Sequence, residues 1–322
     1  MNILMCSVGR RGELIKNFKK TLGEASLLVA TDNSKYAPAL YFADKQYIVP
    51  RIDDPSYIDT LIEICKKEKI NAIATFIDPE IEVLSKNRAI FEDMGITVLA
   101  PYQSTAAICF NKYEFFKHMR KNGIRTVQTY GTLEEFDLAF KQNEINFPVF
   151  VKPRTGSGSV GARKIFNYED LKSAVEADET LIIQELMDCV DMDADIYIDT
   201  VSKEPVSIFS KRKLSTTIGG ANKTISFKDD ILVDFIKKIV SVLELYGPND
   251  IDFFYKNGEY YVSEINPRFG GAYLHAYGAG VDFIKLIENN TKGVANKPEF
   301  GNYEENVVMM MYDSVVIKKI ED

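Results

Sequence analysis

Three stretches of this 322-residue chain carry side chains whose types and spacing suit chemistry. The first is Arg154-Thr155-Gly156-Ser157-Gly158-Ser159-Val160-Gly161, directly after Val151-Lys152. Glycines let successive backbone N–H groups approach a phosphate, the hydroxyls add donors, and Lys152 adds a point charge. Gly156, Gly158 and Gly161 match the spacing GxGxxG, but the dinucleotide fingerprint needs a helix to open at the loop. Here Ala162-Arg163-Lys164-Ile165-Phe166 is strand-like, which predicts a strand–loop–strand flap over nucleotide phosphates. A mobile surface loop is the plain alternative. No GxxxxGK[ST] run occurs, which excludes a Walker-type site.

The second stretch pairs Asp250-Ile251-Asp252 with Glu264-Ile265-Asn266-Pro267-Arg268 across Lys256-Asn257-Gly258. Glu264 and Asn266 are two apart and share a strand face. Two carboxylates and an amide oxygen are hard ligands suited to Mg²⁺ that also touches phosphates. Asp252 joins that face if the hairpin loop has three residues; a two-residue Asn-Gly turn puts it on the opposite face. The metal reading therefore predicts the longer loop, and a polar surface hairpin is the alternative. The third stretch, Thr180 to Met187, reads as a strand ending in acidic and apolar residues. It is either a wall for an adenine, held between apolar groups with backbone polar groups at its edge, or a plain core strand.

The elements that must position these residues fall into two textures. Up to about residue 103, short apolar strands (Ile3–Val8, Ser26–Thr31, Tyr47–Val49, Ala72–Phe76, Thr97–Leu99) alternate with helical spacing near 13–22, 55–67 and 80–92. That alternation predicts a doubly wound parallel sheet with crossover helices. A helix over 104–122 follows. Beyond it, strands at 147–152, 162–166 and 180–185, with a helix at 168–177 among them, predict an α+β half. Successive strands over 193–227, a helix over 229–245 and a hairpin at 250–265 continue it.

The charge balance is 39 basic against 47 acidic residues, net −8, which argues against a nucleic-acid partner held by phosphate neutralisation. No apolar run approaches the length of a membrane span. Cys6, Cys65, Cys109 and Cys189 show neither CxxC nor metal-finger spacing and predict reduced thiols in a cytoplasmic protein.

Taken in order, these pieces resemble the ATP-grasp superfamily over nearly the whole chain. The closest likeness is to one synthetase module of the carbamoyl-phosphate synthase large subunit, in its single-module relatives. The resemblance implies a Rossmann-like pre-ATP-grasp domain (1–103), an ATP-grasp small subdomain with the phosphate flap (104–190), and a large subdomain with the metal site (191–322). It implies ATP as cofactor, with Mg²⁺ or Mn²⁺. Lys112 and Lys152 match the two basic residues on the phosphates, and Gly156, Ser157, Gly158, Ser159 and Val160 the flap. Gln184, Glu185, Leu186 and Met187 match the adenine hinge, and Asp191 the ribose-binding acid. Asp252, Glu264 and Asn266 match the metal ligands, and Arg268 faces the transferring phosphoryl group. In the basic strand Lys211-Arg212-Lys213, alternating faces separate Arg212 from the two lysines; Arg212 is assigned to the phosphates or the acid substrate, and a solvated basic strand is the alternative. Arg10 and Arg11, after the first strand, suit an anionic substrate or a structural ion pair. His275 sits where the acceptor pocket is lined in that family.

The implied function is a carbon–nitrogen-forming, ADP-releasing ligase: ATP activates a carboxylate as an acylphosphate, which an amine or similar nucleophile captures. Its partners are then small-molecule acids and amines, and a homodimer is compatible with the sequence. The alternatives are release of an acyl- or carbamoyl-phosphate, and a non-catalytic ATP-binding regulatory protein. With one module and no glutaminase in the chain, this protein by itself is not expected to make carbamoyl phosphate from glutamine.

Overall fold

A computed structural model describes residues 1–156, 158, 160–217 and 220–320. The first sheet is wholly parallel, in the order β3-β2-β1-β4-β5, from β1 (Asn2–Cys6), β2 (Leu27–Asp32), β3 (Lys45–Ile48), β4 (Ala72–Thr75) and β5 (Thr97–Val98). β1, β2 and β4 are largely apolar runs because crossover helices cover both faces, and Ile3, Leu4, Met5 and Cys6 are fully buried. The order reverses between β1 and β4, and ligands of such sheets bind beyond the strand ends at that crevice. Arg11 and Asp78, in the segments following these two strands, come from that end.

The second sheet is antiparallel, in the order β6-β9-β7-β8: β6 (Thr129–Tyr130), β7 (Val149–Pro153), β8 (Arg163–Ile165) and β9 (Leu181–Glu185). β7 and β8 pair directly, so the glycine loop joins two strands and opens no helix. This removes the dinucleotide-fingerprint reading. The third sheet has six antiparallel strands in the order β14-β13-β10-β11-β12-β15. They are β10 (Val190–Ile198), β11 (Pro205–Thr217), β12 (Gly220–Phe227), β13 (Gly247–Lys256), β14 (Glu259–Asn266) and β15 (Val308–Met310). One face packs on helices Lys112–Lys121 and Asp230–Val240, where Leu232, Phe235, Ile236 and Ile239 repeat at helical spacing toward Ile251, Phe253 and Val262.

Several boundaries differ from expectation. The helix expected over 104–122 is two helices, Gln103–Phe110 and Lys112–Lys121, divided at Asn111. The Asn111 side chain accepts from the N–H groups of Tyr113 and Glu114, a cap stronger than helix continuation. It sets Lys112 at a helix start, facing the glycine loop. Likewise the 80–92 helix divides at Asn87, and the 229–245 helix ends at Val240.

The hairpin loop is the informative difference. Lys256 pairs with Glu259 across Asn257 (φ 54°) and Gly258 (φ 83°), a two-residue turn of the kind Asn-Gly favours. Alone it would leave Asp252 and Glu264 on opposite faces. A bulge intervenes: Phe253 pairs with Val262, but Asp252 pairs with Glu264, and Ser263 is the extra residue. The bulge reverses the alternation and returns both carboxylates to one face.

Candidate active site

The face of the large sheet opposite the helices carries a row of charge. Lys211, Asp193, Asp252 and Glu264 stand in register on β11, β10, β13 and β14. The adjacent row sets Asp195 beside Asp250 and Asp250 beside Asn266. Ion pairs tie the rows together. Lys211 Nζ lies 2.6 Å from Asp193 Oδ1 and also bonds Asp195 Oδ2; Lys213 Nζ lies 2.5 Å from Asp252 Oδ1 and 2.9 Å from Asp191 Oδ1. Burial raises Asp193, Asp195 and Asp252 to about 6, with Lys211 or Lys213 pulling each the other way. The same pairing holds Lys213 far above its ordinary value against burial. Gly270 packs on this face: a Cβ there would lie 2.5 Å from Asp195 Oδ1 and 2.9 Å from Asp250 Oδ1.

Over this face lies a cleft of about 660 Å³. The small sheet contributes Phe150, Lys152 and the glycine loop, and the first sheet contributes Arg11 and Asp78. Lys112 Nζ and Lys152 Nζ converge on Glu264 Oε2 at 3.7 and 3.6 Å. Burial pushes Glu264 up, but Lys152 and Lys112 outweigh it and hold the carboxylate below its usual range. Burial drives Lys152 down, with Glu264 opposing. Lys112 Nζ also donates to Gly156 O at 2.7 Å, tying the loop to the helix start. Arg268 Nε lies 2.7 Å from Asp78 Oδ1, and its Nη1 3.5 Å from Asp250 Oδ2. Arg11 donates to Gly270 O at 3.0 Å; burial, then the nearby Arg268, lowers its guanidinium to about 10.

The assigned residues divide as follows. Lys112, Lys152, Gly156, Gly158, Val160, Asp191, Asp252, Glu264, Asn266 and Arg268 all line the cleft. Ser157 and Ser159 lie outside the described residues. Gln184, Glu185, Leu186 and Met187 are not among the residues lining it. The Gln184 amide is buried and donates to Thr129 Oγ1 at 2.8 Å, and the Glu185 N–H donates to Gln128 O. Gln184 does pair with Phe150, and Asp191 with Phe254, and both phenylalanines line the cleft. Arg212 requires correction. It is exposed, with its guanidinium 5.7 Å from the Phe227 ring, on the face away from the cleft. Alternation along β11 separates it from Lys211 and Lys213, and Lys213 is the basic residue the cleft receives. Asp78, Phe150 and Phe254 were invisible as site residues, since no motif marks an aspartate after β4 or an aromatic residue mid-strand.

His275 stands outside the cleft: it is 2% exposed, with Nδ1 2.7 Å from Thr224 Oγ1 and Nε2 2.9 Å from Val307 O. It joins β12 to the segment before β15 and does not line the cleft. Burial, then the charge of Lys211, lowers it to about 4. The unfolded imidazole takes its proton near pH 6.5 and the folded one only near 4, so acidification through that window costs stability. Relative to His275→Gln, the parent should lose about 3 kcal/mol between pH 7 and pH 4. Urea midpoints of both proteins across that range measure it, and a constant difference would refute it.

Comparison with known proteins shows the family and the fold. A family profile described as the ATP-grasp domain matches residues 109–272, and one described as the PylC-like, N-terminal domain matches 3–99. A pyruvate carboxylase subunit from Methanothermobacter thermautotrophicus is 23% identical over 312 residues, covering 86% of this chain and 62% of that protein. Formate-dependent phosphoribosylglycinamide formyltransferase of Prochlorococcus marinus is 25% identical over 287 residues, covering 83% of this chain and 69% of that one. Among solved structures, N5-carboxyaminoimidazole synthetase of Staphylococcus aureus complexed with ADP superposes with a TM-score of 0.77 at 17% identity. The match covers 96% of this chain and 81% of that one. The profile match spans the glycine loop, the charged rows and Arg268, and on that ground the chain belongs to the ATP-grasp family.

Proposed function

We propose that the chain is an ATP- and Mg²⁺-dependent carboxylate ligase that forms an acylphosphate and passes its acyl group to an amine or similar nucleophile. The observation that carries this reading is the convergence of Lys112, Lys152, Arg268, Asp252, Glu264 and Asn266 on one cleft under the glycine loop. Three units serve it: residues 1–103, 104–190 with the flap, and 191–322 with the acidic rows.

The donor set fits a magnesium ion. Asp252 and Glu264 are in register, Asn266 shares their cleft, and burial makes Asp252 costly to keep ionised without a cation. Asp252, Glu264 and Asn266 would hold the ion, and their hard oxygen donors suit Mg²⁺ that also touches phosphate. When bound, the ion neutralises phosphate charge and orients the γ-phosphoryl group. The protein does the rest by position and charge. Lys112 and Lys152 hold the phosphates, the loop at Gly156 and Gly158 closes on them with backbone N–H groups, and Arg268 meets the equatorial oxygens. The carboxylate oxygen attacks the γ-phosphorus and ADP leaves. The amine then attacks the acyl carbon, and phosphate departs with the original carboxylate oxygen. No protein nucleophile is needed.

The acid enters from the first unit, where Arg11 and Asp78 reach the cleft. The partners are small molecules, and the working compartment is the cytoplasm; no helix among the described residues is long and apolar enough to cross a membrane. A homodimer remains compatible with this reading. An ADP-release screen over amino acids, dipeptides, bicarbonate and small diacids, with and without amines, identifies the substrates. With an ¹⁸O-labelled acid, one label is expected in the released phosphate. Unlabelled phosphate would sink the acylphosphate, and turnover without an amine that yields a phosphorylated acid would favour acylphosphate release.

A further inference from the structure

We propose that Lys213 is a resident counter-ion that closes the metal site to free divalent cations, so that the metal enters only with the nucleotide. The proposal rests on the metal reading of Asp252 and Glu264. In the nucleotide-free protein both carboxylates already hold ammonium groups. Lys213 Nζ lies 2.5 Å from Asp252 Oδ1, and Lys112 and Lys152 share Glu264 Oε2. The Lys213 side chain is only 11% exposed, so this pair is weakly screened. A bare divalent ion would arrive beside three like charges in a partly desolvated cleft. Nucleotide phosphates change that balance by giving Lys112 and Lys152 other partners.

Lys213 itself has a place to go. Its ammonium already lies 2.9 Å from Asp191 Oδ1, two residues along β10 from Asp193, where the carboxylate side chain is 36% exposed. A lysine on a flexible stem releases Asp252 without losing its partner. The sheet register makes this possible: Asp191 pairs with Phe254 and Asp193 with Asp252, so Asp191 sits at the cleft's outer edge.

The test is a Mn²⁺ titration of the full chain, read as free Mn²⁺ by electron paramagnetic resonance, with and without a non-hydrolysable ATP analogue, each against the same solution lacking protein so that binding by the analogue itself is subtracted. The parent is expected to bind Mn²⁺ tightly only with the analogue. Lys213→Met should tighten nucleotide-free binding about tenfold or more, by removing one adjacent like charge. Lys213→Arg should keep the parent's weak binding, and Lys213→Met with Asp252→Asn should return to it. Tight nucleotide-free binding by the parent overturns the proposal, and needs no variant. Unchanged binding in Lys213→Met overturns it too; Lys213→Gln takes its place if the methionine variant does not fold. Failure of the parent to bind Mn²⁺ even with the analogue would instead overturn the metal reading itself.

Discussion

Lys211→Met should cost the protein about 3–5 kcal/mol of stability, because it leaves buried carboxylates without their cation. The Lys211 ammonium is fully buried between Asp193 and Asp195, whose side chains are 5% and 1% exposed. Its pKa stands above the ordinary lysine value: burial pulls it down, and Asp193 and Asp195 more than reverse this. The pair is no evidence that an apolar substitute would be worse; a well-packed neutral trio can match a buried ion cluster. Removing one partner is different, since the remaining charges have neither water nor counter-ion. The loss should therefore depend on pH in a definite direction. Asp193 and Asp195 are already raised to about 6 by burial, and without Lys211 they rise further. A carboxyl whose folded pKa exceeds its unfolded value contributes stability below the unfolded pKa and loses it as pH rises through the folded one. The deficit of Lys211→Met is thus expected to be large at pH 8 and to shrink toward pH 4. Adding Asp193→Asn and Asp195→Asn should recover most of it. Urea midpoints of the three proteins at both pH values decide the matter. A variant as stable as the parent at pH 8, or a deficit flat with pH, would show that the cluster is solvated or otherwise compensated.

That cluster also marks where the sequence was legible and where it was not. The parallel sheet could be read because strands buried on both faces are near-continuous apolar runs, and those of β1, β2 and β4 are short and bounded by turns. The flap could be read because Gly156, Gly158 and Gly161 precede a strand; all three have positive φ, which glycine adopts without strain. Face assignments depended on registers that local spacing does not determine. Asn257-Gly258 formed the two-residue turn its chemistry favours, and the metal face survived only through the bulge at Ser263, which has no residue signature. For β11, alternation correctly separated Arg212 from the lysines but could not say which set faced the cleft. That depended on Asp193 and Asp195 in β10, a non-local pairing. Likewise Gln184 was placed on the right strand, but its amide turned toward Thr129 once β6 docked beside β9.

Arg268→Ala should lower kcat by about 10²–10³-fold, the scale for removing one preorganised group aimed at developing charge. The guanidinium is pinned on three sides. Nε and Nη2 meet the two oxygens of Asp78 at 2.7 and 3.2 Å, Nη1 donates to Phe269 O at 3.1 Å, and Asp250 Oδ2 lies 3.5 Å away. The side chain is 12% exposed, in the wall shared with Lys112, Lys152 and Glu264. Burial alone would lower its pKa, but Asp78 and then Asp250 outweigh that and keep it raised, so it is a fixed positive charge. The two-point contact with Asp78 orients a plane as well as a charge, and a lysine cannot reproduce that. Arg268→Lys should therefore remain well below the parent in kcat. Asp78 acts through Arg268 from the first unit, so Asp78→Asn should lower kcat by a smaller factor, about tenfold, while leaving the KM for ATP near the parent's. If Arg268 only held the units together, Arg268→Ala would instead lower stability and raise both KM values with kcat retained. Steady-state ADP release at saturating acid and ATP, beside a urea midpoint for each variant, separates these outcomes. A kcat for Arg268→Ala within threefold of the parent would remove Arg268 from the phosphoryl-transfer step.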